Sequence, residues 1–114
     1  HMKLLLFISM LIINMKEIVC INDDFSEECK EFFSKYNVSL PMKDKIYNVR
    51  EVVQHTVNRV GFRLVEIINP RVPTSHPILG MINIEPTFNQ ERFALLNGMP
   101  ATKESIAENI KVNA

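Results

Sequence analysis

A mainly β fold, a compact barrel of about five strands with a short helix after the first strand and a C-terminal helix, is what the sequence predicts. Three observations carry this expectation. Asp44-Lys-Ile-Tyr-Asn-Val-Arg-Glu-Val-Val53 and Phe62-Arg-Leu-Val-Glu-Ile-Ile-Asn-Pro70 are β-rich runs joined by a polar loop, the pattern of a central hairpin. The apolar runs around them are short and separated by proline-rich connections. The length, 114 residues, suits one domain whose core needs neither metal nor disulfide. A one-layer α+β sheet is the alternative arrangement of the same elements.

At the N-terminus, His1-Met2 has the form of an expression scar and stands outside the fold. Lys3 followed by the apolar run Leu4 to Ile13 has the shape of a signal peptide and is too short to span a membrane. The cleavage region is poor, because Met15-Lys-Glu-Ile-Val-Cys20 carries two charges and no Ala-x-Ala. Met15 also makes a normal start for a cytoplasmic protein. Two localisations follow: cytoplasmic with Met15 as the true start, or secreted with residues 3–20 removed. Residues 1–14 are therefore set apart as scar plus apolar extension, and residues 15–114 form the single domain. An exposed apolar run is an association site, so Leu4 to Ile13 is expected to pack on the domain or on a second copy of it.

Lys16 to Ile21 reads as the first strand. Asp24 or Ser26 then caps a helix over Glu27 to Tyr36, with Glu27 and Glu28 near the positive end of its dipole. Phe25, Cys29, Phe32 and Phe33 fall at helical spacings, a core-packing face rather than a cofactor box. Asn37 ends the helix, and Ser39 to Asp44 is a loop into the hairpin. In the first hairpin strand Tyr47, Val49 and Val53 share one face, Asn48 and Arg50 the other. In the second, Phe62, Leu64 and Ile68 oppose Arg63, Val65 and Ile67, a strand apolar on both faces and hence central. Gly61, at its turn side, suits a bulge or a positive φ. Pro70, Pro73 and Pro77 break regular structure across a surface loop, and the next strand runs from Ile78 to Ile84. Glu85 to Asn89 is a turn and Arg92 to Leu96 a last short strand. Thr102 caps a terminal helix in which Ile106 and Ile110 lie one turn apart.

The formal net charge of zero argues against a protein devoted to non-specific binding of nucleic acid or anionic membrane. Cys20 and Cys29 lack Cys-x-x-Cys spacing and read as free, buried or partly buried thiols. His55 and His76 offer no cluster of three metal ligands. Ser75 has no Gly-x-Ser-x-Gly elbow, and Gly61, Gly80 and Gly98 are too scattered for a phosphate loop. No catalytic residue, cofactor or metal is expected. The better candidate is a surface. Arg50, Arg59, Arg63 and Arg71 cluster around the hairpin, with Tyr47, Phe88 and Arg92 nearby if the barrel closes. Arginines with exposed aromatics grip phosphates and stack on bases, or line a peptide groove. The plainer reading pairs Arg50 and Arg63 with Glu51, Glu66 or Glu91 on a solvated face.

The series Lys45-x-Tyr47-x-Val49-Arg50-Glu51-Val52, Leu64-x-Glu66-Ile67-x-Asn69-Pro70, Glu85-Pro86-x-Phe88 and Arg92-Phe93 followed by Leu95 or Leu96 resembles small uncharacterised proteins of bacteriophages, prophages and bacterial genomes. The likeness covers residues 15 to about 105, which favours Met15 as the start. It implies an SH3-like β-barrel and no reaction, cofactor or catalytic residue. The segment from Asp24 to Leu40 is longer than that family's minimal pattern. The leading expectation is thus a non-catalytic protein-interaction module of phage or mobile-element type, acting on a protein partner or by self-association. A small nucleic-acid-binding barrel using the arginines is the second reading, and a secreted protein the third.

Overall fold

Ile18 and Cys20 alternate with more exposed neighbours, and this period of two makes β1 (Lys16–Cys20), with both side chains fully buried. The structure, a computed structural model, describes residues 16–106 together with the backbone of 112–113. The apolar run Leu4 to Ile13, Met15 and Ile110 lie outside the described residues, and with them the expectations placed there.

After β1 comes α1 (Glu27–Lys35), close to the expected bounds. Of the two caps the sequence offered, Ser26 is the one used: its Oγ accepts from Cys29 N at 3.1 Å. Asn37 ends the helix in the left-handed region at φ 59°, with Val38 N on Phe33 O at 2.9 Å and Asn37 N on Ser34 O at 3.2 Å. These two bonds form a Schellman motif, which satisfies carbonyls that the helix itself leaves open. No residue of α1 is fully buried; it is held by Phe25 just before it and by Cys29, which packs on the core.

The hairpin of the sequence analysis is present as β2 (Ile46–Thr56) and β3 (Arg59–Leu64). Its phase differs from simple alternation. Tyr47 and Val49 point into the core as expected, but Val52 rather than Val53 follows them. The pairing jumps from Val49↔Leu64 to Glu51↔Arg63, leaving Arg50 as the extra residue of a bulge, and a bulge exchanges the two faces of the strand beyond it. A second jump, from Gln54↔Val60 to Thr56↔Arg59, leaves out His55 in the same way. β3 also stops at Leu64 instead of continuing to Pro70. Val65 and Ile68 are exposed, so the strand is not apolar on both faces. The carboxylate of Glu66 turns back to accept from Asn48 N and Nδ2, both at 2.8 Å, and this closes the end of the ladder.

Beyond β3 the chain leaves the sheet and makes a second hairpin, β4 (Val72–His76) and β5 (Gly80–Ile84). Here the expectation of a loop across residues 71–77 is corrected. Proline has no N–H to give, so Pro73 can only occupy a non-hydrogen-bonded pair with Asn83, where the missing donor faces an open edge. The turn is fastened by His76, whose Nδ1 accepts from Ile78 N at 3.1 Å and Leu79 N at 3.0 Å. The chain then returns through β6 (Phe88–Asn89), a 3₁₀ turn (Gln90–Arg92) and β7 (Phe93–Leu95). The terminal helix is a single described turn, α2 (Lys103–Ile106), where Thr102 Oγ1 accepts from Ser105 N at 3.2 Å. Last is β8 (Val112–Asn113), parallel to β2.

Among the described residues the protein is mainly β, with two sheets and few helices. The main sheet runs β6-β3-β2-β1-β7, with β8 also on β2; the other sheet is the β4–β5 hairpin. Laid flat, the outer strands β6 and β7 would stand about 19 Å apart. Yet one 3₁₀ turn joins them, and three residues of 3₁₀ helix rise only about 6 Å. The sheet must therefore curl, and its core records this. Phe62 of β3 and Phe93 of β7 lie with ring centroids 5.9 Å apart, although two strands separate them along the sheet. No ladder joins β6 to β7 among the described residues, so the curled sheet is open there. Ile18, Tyr47, Val49, Val52, Phe62, Leu64 and Ile106 fill its concave side.

Candidate functional site

The two bulges aim polar side chains in definite directions. At the first, Arg50 Nε donates to the Leu64 carbonyl at 2.9 Å and Nη2 pairs with Glu85 Oε2 at 2.5 Å. Arg63 donates through Nε and Nη2 to the Glu85 carbonyl at 3.1 and 2.8 Å, and its Nη1 pairs with Glu51. Asn69 N donates to Glu85 Oε2 at 3.0 Å, while the Asn69 amide spans Ser39 N and O at 2.7 and 3.0 Å. Glu85 thus ties β2, β3 and the base of the second hairpin together. With side-chain exposures of 29% and 15%, Arg50 and Arg63 are fasteners of the fold, their donors directed inward.

The remaining residues of the expected binding surface are dispersed. Tyr47 is buried with its hydroxyl accepting from Met42 N at 2.8 Å, and Phe88 is buried against Phe25 with ring centroids 6.3 Å apart. Neither ring is free to stack on a ligand, which removes the aromatic part of that surface. Arg92 lies over the Phe25 ring at 3.8 Å and donates to the Asn22 and Asp24 carbonyls at 3.2 and 3.4 Å. Arg59 and Arg71 are exposed, Arg59 at the start of β3 and Arg71 just before β4.

At the second bulge, His55 Nε2 meets Thr87 Oγ1 at 2.7 Å, directly above Gly61. Partial desolvation of the ring on its Thr87 side, with Arg59 and Arg63 near it, lowers the His55 pKa below the ordinary imidazole value, although the residue as a whole is exposed. The imidazole is therefore neutral at neutral pH. Cys20 is buried, and burial above all pushes its thiol pKa up, so it stays protonated and a poor nucleophile. Cys29 is also a free thiol, partly buried. Among the described residues no group of three His, Cys, Asp or Glu side chains is placed to hold a metal ion, and no helix is long and apolar enough to cross a membrane.

The feature that sequence reasoning missed is β4 and its pairing with β5 into a hairpin; β5 itself was expected over Ile78 to Ile84, and Ile78 and Leu79 belong instead to the turn. The base of the hairpin is anchored by buried Val72, but its tip and outer face carry Ile78, Leu79 and Met81 at 86, 67 and 69% exposure. Because Pro73↔Asn83 is a non-hydrogen-bonded pair, so is Ser75↔Met81, and the N–H and C=O of Met81 and Asn83 point away from β4 to the open edge of β5. The signal was present in Pro77-Ile-Leu-Gly80, a turn between two runs with β-branched residues, and was obscured by the flanking prolines. No known protein family, curated protein or solved structure matches this chain.

Proposed function

We propose that this chain is a non-catalytic protein-interaction module of phage or mobile-element type, built on an SH3-like barrel, which binds through its β4–β5 hairpin. The barrel reading is supported by the strand order, in which a long-range pairing returns β7 to β1, and by the curl that brings Phe62 and Phe93 into contact. The free thiols Cys20 and Cys29 fit a reducing, cytoplasmic setting.

One observation carries the functional part. A two-stranded hairpin is marginal in water by itself, and this one also presents exposed Ile78, Leu79 and Met81. A partner that covers the hairpin removes that apolar surface from water and adds strands to a sheet that has two among the described residues. Two of the candidate arginines do not compete with this reading, since Arg50 and Arg63 are committed to Glu85 and Glu51.

A photo-cross-linking residue in place of Leu79, used in producing cells, tests the proposal. A discrete protein adduct is expected, whether with a second copy or with another chain, and none from the same residue in place of exposed Glu31 on α1. Equal or absent labelling at the two positions overturns it.

A further inference from the structure

We infer that the β5 edge is a self-pairing interface: two copies join antiparallel across Gly80–Ile84 about a two-fold axis at Ile82, making one four-stranded sheet from two hairpins. This rests on the reading that the hairpin is the binding element and names its partner as a second copy of this chain.

The register is dictated by the backbone. The outward groups of β5 belong to Met81 and Asn83, so these must form the hydrogen-bonded pairs of any strand added there. A two-fold at Ile82 places Met81 of one copy opposite Asn83 of the other, twice, with Ile82 facing Ile82 between them. Every outward donor then meets an outward acceptor, giving two reciprocal pairs. A shift by one residue would set outward groups against inward ones and lose all of them.

Charge and chain chemistry single out β5 over β4. Gly80-Met-Ile-Asn-Ile84 has no charge, so self-pairing sets no like charges opposite one another. It also has neither the Lys nor the Pro that usually protects a sheet edge. The β4 edge has such protection, because Pro73 removes a donor from its middle. The zero net charge of the chain adds no long-range repulsion between copies.

The same two-fold gives the apolar tip a destination. With Gly80 level with Ile84 of the other copy, Leu79 comes level with Glu85. Beside Glu85 lies the chain of Ile68, 75% exposed, since neighbouring Asn69 donates to the Glu85 carboxylate at 3.0 Å. The tip of each copy therefore reaches the exposed apolar residue at the base of its partner.

Sedimentation velocity of the full chain, from about 1 to about 500 µM, measures the dimerisation. Two double variants at exposed positions read the register. In M81K/N83K like charges stand opposite at both pairs, and the dimer should weaken at least about tenfold. In M81K/N83E each lysine meets a carboxylate, and the dimer should stay within about threefold of the parent. Circular dichroism confirms that each variant is folded. A parent that stays monomeric throughout, a dimer that M81K/N83K leaves unchanged, or equal loss in both variants overturns the inference. A monomeric parent that still gives a hetero-adduct at position 79 in cells overturns self-pairing alone; no adduct overturns the hairpin reading itself.

Discussion

A methyl group added at Gly61 would lie 2.6 Å from Thr87 Cβ and 3.2 Å from His55 Nε2, and closer still to Thr87 Oγ1. The residue is therefore required by close approach, since its φ is not in the left-handed region. Gly61→Ala should lower stability by about 1–3 kcal/mol, read from the urea midpoint. The His55–Thr87 contact above it makes a second prediction. The folded-state pKa of His55 is lowered from 6.5, so as pH falls through that value the unfolded chain takes up the proton first. More protons bound to the unfolded state mean stability that is complete above 6.5 and declines below it. The fall in urea midpoint between about pH 7.5 and about pH 5.5 should shrink in His55→Asn. At this scale the sequence was least legible. Tyr47 and Phe88 looked like exposed aromatics because burial depends on partners that are distant in the chain. The Met42 amide satisfies the Tyr47 hydroxyl, and Phe25 receives the Phe88 ring.

Elements show how far local chemistry reaches. The end of α1 was legible because Asn37 is one of the few residues that tolerates positive φ, and the structure places it at 59°. Asn37→Gly should preserve stability, whereas Asn37→Val should cost about 1–2 kcal/mol, measured by thermal unfolding. The β2–β3 hairpin was legible from its alternation up to Val49. Past that point the bulge at Arg50 reversed the faces, and its cause lies outside the strand: the guanidinium reaches Leu64 O and Glu85, set by β3 and the second hairpin. β4 was hidden for the opposite reason. Proline excludes central strands, and only the three-dimensional position of Pro73 on an open edge makes a strand permissible there.

The whole molecule divides into a curled sheet with a continuous core and a projecting hairpin with little core of its own. Hydrogen exchange at low concentration should show this directly. Amides paired between β2 and β3 should exchange by the slowest openings, and those between β4 and β5 markedly faster; equal protection would contradict the division. The mainly β class could be read from short strands and turns, and a barrel was expected from them; that the sheet curls yet stays open between β6 and β7 among the described residues could not, because it depends on one short turn joining opposite edges of the sheet. The placement of the hairpin has a further consequence. The chain leaves the main sheet at β3 and rejoins it at β6, and these strands are neighbours, paired at Gly61↔Asn89 and Phe62↔Phe88. The excursion between them is a cassette with its two ends side by side. It can lengthen, drift or be exchanged during descent while the frame keeps its ladder. A lineage built on this plan can acquire new recognition by rewriting roughly one segment of chain, with Glu85 as the clasp that any replacement must match or do without.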